Sequence, residues 1–370
     1  MEIIIEKQEF SKALKNINDL VSNCNTPILS CVYINTENDK LFLTATNGTS
    51  SYKQEIKNIQ IKKQGNVLVN ANLLYNIISK INQIEILIQQ IDDNILQIKT
   101  PTFSCEINLN DSLAFPKILF DCNDSKKIIL TKDTVNNIKD KIIPFTTNLF
   151  NNTYNITSGI YFHAINNKQM ECVASDSFKM GYYKFDYEGD AYNFIIGKDV
   201  INFASSILIS SNFKTIEMLF NNQNCILKID NILMSFALFD NAYPNIIPTI
   251  LSPQKYKFSL KLNDLVNALN IGSTFVSKER KPEVVFNLVG DKLNVKFMSA
   301  ETGNSFEQIP IFDANTDKFS VKFNQKYFTE LLKTVKSENI SFNFTEYNRM
   351  LIISSDNPYF LNLILPIRSV

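Results

Sequence analysis

Residues 317–335, DKFSVKFNQKYFTELLKTV, carry the pattern from which we predict the fold of the whole chain. Phe319, Val321 and Phe323 alternate with polar residues, as the inward side chains of a half-buried strand do. Asn324 interrupts the alternation, and asparagine is a common residue at helix starts. The apolar residues that follow recur at three- and four-residue spacing, which predicts one buried helix face. They are Tyr327, Phe328, Leu331, Leu332 and Val335.

This strand–turn–helix unit occurs three times at a constant interval. Residues 66–81 (NVLVNANLLYNIISKI) and 193–208 (NFIIGKDVINFASSIL) repeat its pattern. The first apolar helical residues of the three copies, Leu73, Val200 and Tyr327, follow one another at intervals of 127 positions. A fixed interval between equivalent residues indicates internal repetition of the chain.

A second strand–helix unit opens each repeat. Its copies are residues 2–17 (EIIIEKQEFSKALKNI), 127–142 (KIILTKDTVNNIKDKI) and 257–271 (KFSLKLNDLVNALNI). Two hairpins and a closing strand complete the repeat. The return strands of the first hairpins are residues 40–43, 169–172 and 292–295, the second hairpins are 84–99, 215–229 and 339–354, and the closing strands are 102–109, 234–239 and 359–367. Order and spacing therefore predict three copies of one α+β domain of about 120 residues.

The predicted domain boundaries follow from the ends of the repeats. Domain 1 covers residues 1–123, domain 2 covers residues 124–253 and domain 3 covers residues 254–370. Pro244 and Pro248 lie just after the closing strand of domain 2. Because proline fixes one backbone dihedral angle, these two residues predict a rigid linker at that point.

Composition and charge restrict the classes of protein to consider. The chain has 370 residues and 45% hydrophobic content, which argues against an intrinsically disordered protein. It carries 37 basic and 37 acidic residues, so affinity for nucleic acid has to come from local clustering of charge.

Six scattered cysteines without a C-x-x-C pair predict reduced thiols in a cytoplasmic protein. We expect neither a membrane span nor a signal peptide, because no apolar run approaches 18 residues.

Sequence motifs for catalysis or cofactor binding are missing. The chain contains neither G-x-x-x-x-G-K-[ST] nor G-x-G-x-x-G, and its Cys and His residues lack metal-ligand spacing. His163, the single histidine, follows Tyr161 and Phe162 in a predicted strand, which indicates a packed or surface imidazole. We therefore expect a protein that is not an enzyme and holds no metal and no cofactor. An enzyme with an unfamiliar carboxylate site is a less favoured alternative.

The polar faces of the predicted helices are rich in lysine, asparagine and serine. If all six helices faced the same way, they would form a weakly basic surface that suits phosphate groups and reads no bases. A simply solvated helix face is the alternative interpretation. The lysines that we predict to face DNA are Lys12, Lys15, Lys80, Lys139, Lys141, Lys198, Lys333 and Lys336.

Four segments, in this order, resemble those of the bacterial sliding clamps, the beta subunits of DNA polymerase III. They are residues 26–29 (TPIL), 174–180 (ASDSFKM), 240–244 (DNAYP) and 363–368 (LILPIR). The resemblance covers the whole chain and implies three tandem processivity-fold domains, with antiparallel sheets outside and two helices per domain inside. It implies a head-to-tail homodimer that closes into a ring around duplex DNA. It also implies that the ring tethers the replicative polymerase catalytic subunit and other clamp-motif proteins, and that an ATP-driven clamp loader opens it.

The resemblance also assigns roles to residues of this chain. Partner proteins of the family insert a short peptide with aliphatic and aromatic side chains into a groove between domains 2 and 3. The implied groove residues are Thr157, Ser175, Ser177, Phe178, Lys179, Met180, Pro244, Tyr327, Met350, Leu363, Ile364, Leu365, Pro366, Ile367 and Arg368. At the dimer interface, a strand of domain 1 is expected to pair with domain 3 of the second copy, which also covers the strand edges. The implied contacts are Phe103, Cys105, Phe275 and Val276.

Five positions in the implied groove differ from the family pattern. Residues 177–180 read SFKM where Gly-His-Arg-Leu is frequent, and Thr157 stands where leucine is frequent. We therefore expect a peptide preference that differs from the family average. A triplicated α+β binding or scaffold protein that forms no ring is the alternative from another class, and a monomeric mass in solution would favour it.

Overall fold

The computed structural model describes residues 1–22, 24–120, 125–147, 156–210, 212–221, 223–239, 242–276, 282–345 and 351–367. The elements of the first repeat are β1 (Glu2–Glu6), α1 (Lys7–Val21), β2 (Cys31–Glu37), β3 (Lys40–Thr46), β4 (Ser50–Ile56), β5 (Ile59–Lys63), β6 (Asn66–Asn70), α2 (Ala71–Lys80), β7 (Glu85–Asp92), β8 (Ile95–Lys99) and β9 (Ser104–Asn108). Those of the second are β10 (Lys126–Thr131), α3 (Lys132–Lys141), β11 (Gly159–Ala164), β12 (Gln169–Ser175), β13 (Lys179–Asp186), β14 (Glu188–Gly189), β15 (Phe194–Gly197), α4 (Lys198–Ser210), β16 (Thr215–Phe220), β17 (Asn224–Ile229) and β18 (Ile232–Ala237).

A one-turn helix, α5 (Ile247–Ile250), precedes the third repeat. The elements of that repeat are β19 (Tyr256–Lys261), α6 (Leu262–Ser273), β20 (Glu283–Val289), β21 (Lys292–Ser299), β22 (Gly303–Pro310), β23 (Ser320–Asn324), α7 (Gln325–Leu332), β24 (Asn339–Phe344), β25 (Leu351–Ser355) and β26 (Phe360–Ile364). No helix within the described ranges is both long and apolar enough to cross a lipid bilayer.

The three repeats share one element order, except that the described part of the third has no strand equivalent to β5 and β14, and this shared order confirms the predicted triplication of an α+β domain. A strand and helix open the repeat, a second strand and helix stand in its middle, and a hairpin with a closing strand ends it. The sequence interpretation missed the fourth strand of each repeat, namely β4, β13 and β22. Inward positions of these strands are partly polar, as at the buried Gln54 of β4, so the apolar alternation is weak there.

The helix starts follow the sequence prediction, with one difference in register. The side chain of Asn324 accepts a hydrogen bond from the Tyr327 amide (3.2 Å), and Asn70 accepts one from the Leu73 amide (2.9 Å). In α2, however, Leu74 is fully buried whereas Leu73 is 45% exposed. In α7 likewise, Phe328 is fully buried and Tyr327 is half-buried, so the buried stripe of both helices begins one residue after the first apolar helical residue, and the alignment of Leu73 with Tyr327 holds.

The described chain divides into two compact units. Unit 1 comprises Met1–Ile129 and Thr215–Leu238, and unit 2 comprises Leu130–Lys214 and Phe239–Val370. The second repeat is shared between them, because its closing strand β18 pairs with β4 of the first repeat, whereas its β13 pairs with β26 of the third. The boundaries of the three sequence domains at residues 123 and 253 stay a prediction.

Unit 1 contains two antiparallel sheets and the helix pair α1–α2. One sheet has the strand order β5-β1-β7-β8-β9, and the other contains the run β10-β16-β17-β18-β4-β3-β2-β6. The two helices are in contact, and the Asn72 side chain donates a hydrogen bond to Asn18 Oδ1 (3.2 Å). Fully buried side chains such as Phe10 and Tyr52 fill the space beneath these helices.

Unit 2 contains an eight-stranded sheet, a four-stranded sheet and the helix pairs α3–α4 and α6–α7. The eight-stranded order is β15-β11-β12-β13-β26-β25-β24-β19, and the four-stranded order is β22-β21-β20-β23. In the third repeat, rings that are at least 96% buried pack against one another, and Phe286 meets Phe328 edge to face at 4.9 Å. The central strands β13 and β26 of the larger sheet carry the candidate site described next.

Candidate functional site

A cavity of about 340 Å³ lies in unit 2 beside the strands β13 and β26. Nine of the residues implied by the family resemblance line it: Thr157, Ser175, Ser177, Phe178, Lys179, Met180, Pro244, Leu363 and Leu365. Sequence reasoning missed four further lining residues: Ile156, Tyr243, Ile246 and Thr249. Of the remaining implied residues, Tyr327, Ile364, Pro366 and Ile367 do not line the cavity, and Met350 and Arg368 lie outside the described residues.

Strand pairing brings the two distant segments of the groove together. Met180 of β13 lies directly opposite Leu363 of β26, and the Leu365 amide donates a hydrogen bond to the Phe178 carbonyl oxygen (2.9 Å). Side chains alternate between the two faces of a strand, so Leu363 faces the groove while its neighbour Ile364 lies in the core on the other face. This alternation explains why Ile364 is absent from the cavity wall.

The floor of the groove is an apolar cluster with six buried members: Val173, Met180, Tyr182, Ile250, Ile352 and Leu363. The chain from Tyr243 to α5 folds back over this cluster, and Tyr243, Ile246 and Ile247 pack against it. The segment that the two prolines marked as a linker therefore forms part of the groove wall. Burial of these apolar side chains holds the segment on the sheet.

The turn between β12 and β13 is fixed by its own side chains. The Asp176 carboxylate accepts hydrogen bonds from the amides of Phe178 (3.0 Å) and Lys179 (2.9 Å), and the Ser175 hydroxyl donates to the Lys179 carbonyl oxygen (3.1 Å). Ser177 adopts a φ of 76°, a left-handed conformation that costs free energy in a residue other than glycine. These bonds hold Phe178 at the rim of the cavity, with 53% of its surface exposed.

An aromatic pair lies at this rim. The Phe178 ring stacks on the Tyr327 ring of α7, with the centroids 5.3 Å apart and the planes 29° from parallel. Tyr327 thus reaches the site through Phe178, although it does not line the cavity itself. An exposed aromatic pair beside an apolar floor is a typical feature of surfaces that bind protein partners.

The ammonium group of Lys179 is the main buried charge of the site, because only 5% of its side chain is exposed. It donates to the Pro144 carbonyl oxygen (3.0 Å) and forms ion pairs with Asp176 (3.2 Å) and Glu330 (3.1 Å). A buried ammonium requires such compensation because removal from water is costly. Lys179 therefore serves as a structural tie between the turn, the segment around Pro144 and α7.

Glycine is required where β13 passes the segment that carries Pro144. A Cβ atom on Gly181 would lie 2.4 Å from the ring of the fully buried Phe145. The close approach of strand and ring keeps the Pro144 carbonyl oxygen within reach of Lys179.

His163 takes part in a hydrogen-bonded group on three adjacent strands. Its Nδ1 lies 2.8 Å from Glu171 Oε1, and the Tyr182 hydroxyl donates to Glu171 Oε2 (2.7 Å). Glu171 is 5% exposed, so these two partners satisfy an otherwise costly buried carboxylate. The contact agrees with the expected packed or surface imidazole.

The predicted DNA-facing lysines differ in their surroundings. Lys12, Lys15, Lys80, Lys333 and Lys336 are exposed, whereas Lys139, Lys141 and Lys198 are half-buried. The Lys141 ammonium lies 3.6 Å from the centroid of the Phe360 ring, and burial lowers the pKa of Lys141. Lys12 and Lys15 lie together on a second cavity of about 520 Å³ in unit 1. That these lysines face DNA stays a prediction.

The four residues implied at the dimer interface lie in two regions. Phe103, 41% exposed, precedes the edge strand β9, and Cys105 is half-buried within it. Phe275 and Val276 follow α6, where Val276 is already buried in unit 2. Their contact with a second copy stays a prediction.

Both ends of the chain match models of the same protein family. Residues 1–112 match the family model of the DNA polymerase III beta subunit N-terminal domain, and residues 246–368 match that of its C-terminal domain. The chain is 25% identical to the beta sliding clamp of Mycoplasma pneumoniae, over 99% of this chain and 100% of that relative. It is 21% identical to the beta sliding clamp of Bacillus subtilis over the full length of both.

Solved structures show the same fold. The chain aligns over its full length with the beta subunit of the DNA polymerase of Streptococcus pyogenes, with a TM-score of 0.90 and 20% identity. It aligns equally completely with the DNA polymerase sliding clamp of Bacillus subtilis, with a TM-score of 0.89 and 20% identity. These likenesses confirm the clamp fold in the described architecture.

We predict that Lys179→Met destabilises the protein by about 2–3 kcal/mol, because Asp176 and Glu330 lose a desolvated partner. Urea titrations that measure the free energy of unfolding check this value. Lys322→Met is the matched control, since it removes an exposed lysine that lies 3.7 Å from Glu283, and we expect it to cost less than about 0.5 kcal/mol. Equal effects of the two variants would contradict the structural role of Lys179.

Proposed function

Because the chain belongs to the family of DNA polymerase III beta subunits, we propose that it is a ring-shaped sliding clamp, which encircles duplex DNA and tethers the replicative polymerase. Clamps of this family are processivity factors without catalytic activity of their own. Buried free cysteines such as Cys172 and Cys225, whose pKa burial raises, suit a protein of the reducing cytoplasm.

The observation that carries this proposal is the pattern of sheet edges. Inside each unit, a closing strand of one repeat pairs with the fourth strand of another: β18 with β4, and β26 with β13. The equivalent strands β9 and β22 end their sheets, with one neighbouring strand each among the described residues. We propose that β9 of one copy pairs with β22 of a second copy, because exposed edges favour such pairing. Two such junctions close a ring from two chains.

The internal junctions also predict the register of this pairing. The Leu109 amide donates a hydrogen bond to the Asn94 carbonyl oxygen (2.8 Å), and the Leu238 amide donates one to the Gln223 carbonyl oxygen (2.8 Å). These two bonds are equivalent, so each residue of β9 corresponds to the residue of β18 that lies 129 positions later in the sequence. Cys105 then corresponds to Met234, which lies opposite Tyr52 in β4.

The hairpin registers align the partner strands in the same way. In the third repeat, Ser305 of β22 lies opposite Phe297 of β21. At the equivalent place in the first repeat, Tyr52 of β4 lies opposite Ala45 of β3. Ser305 therefore corresponds to Tyr52. We infer that Cys105 of one copy faces Ser305 of the other across the junction.

We predict that Ser305→Cys produces a disulfide-linked dimer with the native Cys105, because directly opposed residues of antiparallel strands lie within disulfide distance. Non-reducing gel electrophoresis after mild oxidation checks this, with a band at twice the chain mass of 42.4 kDa. Phe306→Cys is the matched control, because a shift of one residue turns the thiol to the opposite face of the sheet. Linkage of the control as efficient as that of Ser305→Cys, or linkage of neither, would contradict the proposed junction.

We propose that the ring holds DNA by topology and makes only weak contacts with it. The chain has no net charge, and of the exposed lysines that we predict to face DNA, Lys12 and Lys15 lie on α1 and Lys80 on α2, whereas Lys333 and Lys336 follow α7. Lysine–phosphate contacts are independent of sequence and readily exchanged, which permits sliding along the duplex. A clamp loader driven by ATP supplies the opening of the ring in this proposal.

We propose that the groove beside β13 and β26 takes a short peptide segment of the polymerase and of other partners. Its apolar floor suits aliphatic and aromatic side chains, and its volume of about 340 Å³ is in the range of small-ligand pockets. Leu365, 44% exposed, contributes an apolar side chain to the wall without being part of the buried core.

We predict that Leu365→Asp lowers the affinity of a fluorescein-labelled Leu- and Phe-rich peptide by at least about tenfold, because a carboxylate is costly to bury in an apolar wall. Fluorescence anisotropy measures the affinity, and sedimentation equilibrium is expected to show an unchanged dimer. Leu113→Asp is the control, since Leu113 is 93% exposed in unit 1 and remote in sequence from the groove. Unchanged peptide affinity in Leu365→Asp would remove the groove from the proposed function.

A further inference from the structure

The ring of Phe178 has one covered face and one open side. Tyr327 of α7 stacks on the ring with the centroids 5.3 Å apart, so this neighbour covers one of its faces. Phe178 is nevertheless 53% exposed, and it lines the groove cavity. The aromatic surface that Phe178 offers to the cavity therefore comes from its other face and its edge.

The place of this ring is fixed by the backbone around it. The amides of Phe178 and Lys179 donate hydrogen bonds to the Asp176 carboxylate (3.0 and 2.9 Å). The Phe178 carbonyl oxygen accepts a hydrogen bond from the Leu365 amide (2.9 Å). Ser177 keeps its left-handed φ of 76°, a conformation that persists only where the surroundings impose it. A ring that is already held in place loses little conformational freedom when a ligand packs against it.

The identity of residue 178 separates this chain from the family pattern, in which histidine is frequent at that position. Phenylalanine has no ring nitrogen that could donate or accept a hydrogen bond. Its ring therefore recognises a ligand through apolar and aromatic contact alone.

The charges beside the ring restrict what can pack against it. The Lys179 ammonium lies 5.9 Å from the centroid of the Tyr327 ring, so the aromatic pair already has a cation next to it. The Asp176 and Glu330 carboxylates pair with that ammonium at 3.2 and 3.1 Å. A charged side chain of a ligand would have to compete for these pairs as it leaves water, whereas a neutral side chain carries no such cost.

Among neutral side chains, an aromatic ring gains more from Phe178 than an aliphatic one. Aromatic rings attract each other in offset-stacked or edge-to-face arrangements, beyond the effect of the apolar area that they bury. Phe178 and Tyr327 already form a stack whose planes are 29° from parallel, and a third ring on the open side would extend it. Leucine would fill similar space without this gain.

We propose that the open side of Phe178 receives an aromatic side chain of the partner peptide, and that this contact makes the groove prefer phenylalanine to leucine at one peptide position. This inference rests on the proposed function of the groove as a peptide site. It adds a residue that determines specificity to a cavity whose floor supplies apolar contact.

The test measures the affinity of the full-length protein for fluorescein-labelled hexapeptides by fluorescence anisotropy. The parent peptide contains three leucines among serine and alanine, and three analogues each replace one leucine by phenylalanine. We expect at least one analogue to bind the wild type about 3- to 10-fold more tightly than the parent does. In Phe178→Leu we expect this advantage to fall below about twofold, because the ring that attracts phenylalanine is gone.

Two variants control for the loss of a ring as such. Phe178→Tyr restores an aromatic ring at the same place, so the preference for phenylalanine is expected to return. Tyr359→Leu removes a ring that is also 53% exposed but does not line the cavity, and we expect it to keep the preference of the wild type.

Leu365→Asp separates the role of Phe178 from the groove itself, since it is expected to abolish the binding of all four peptides. Suppose that it does, but that no phenylalanine analogue binds the wild type better than the parent, or that the advantage persists in Phe178→Leu. The role of Phe178 is then refuted while the groove stands. If Leu365→Asp leaves binding intact, the groove assignment itself fails.

Discussion

Pairing of strand edges between repeats is the constraint on which the rest of the structure depends. A sheet edge presents unpaired amide and carbonyl groups, and this chain satisfies two of its edges internally, at β4 with β18 and at β13 with β26. Each junction joins a closing strand to the fourth strand of another repeat, so the repeats are bound to one another through backbone hydrogen bonds. We propose that the same rule, applied to β9 and β22, brings in a second chain, and a ring then follows from two such closures.

The groove is a consequence of one of these junctions. Because β13 pairs with β26, the turn that carries Phe178 and Lys179 comes to lie beside Leu363 and Leu365, nearly 190 residues away in sequence. The apolar face exposed at this seam is then partly covered by the chain from Tyr243 to α5. The junction thus both stabilises the fold and creates the concave apolar surface on which the proposed partner binding depends.

Local sequence patterns were sufficient for the repeat but not for the site. The alternation before Asn324 and the helix after it report local geometry, so strand, cap and helix were predicted correctly. The exposure of Leu73 and the half-burial of Tyr327 show where local spacing fails, because packing against distant strands decides which of two adjacent apolar residues is buried. Tyr243 was missed as a groove residue for the same reason, since its place depends on how residues 243–250 fold back onto the sheet. The buried state of Lys179 likewise depends on Glu330 and Pro144, which no local pattern connects to it.

The most direct measurement of the central claim is retention of the loaded protein on circular and on linear DNA. The protein is loaded with an ATP-driven clamp loader onto nicked circular DNA, passed through a gel-filtration column at high salt, and compared before and after a single cut of the DNA. We predict that the protein stays with the circular DNA and is lost from the same DNA once it is linear, because only topology holds it at high salt. Equal retention on both forms, or loss from both, would contradict a closed ring around the duplex.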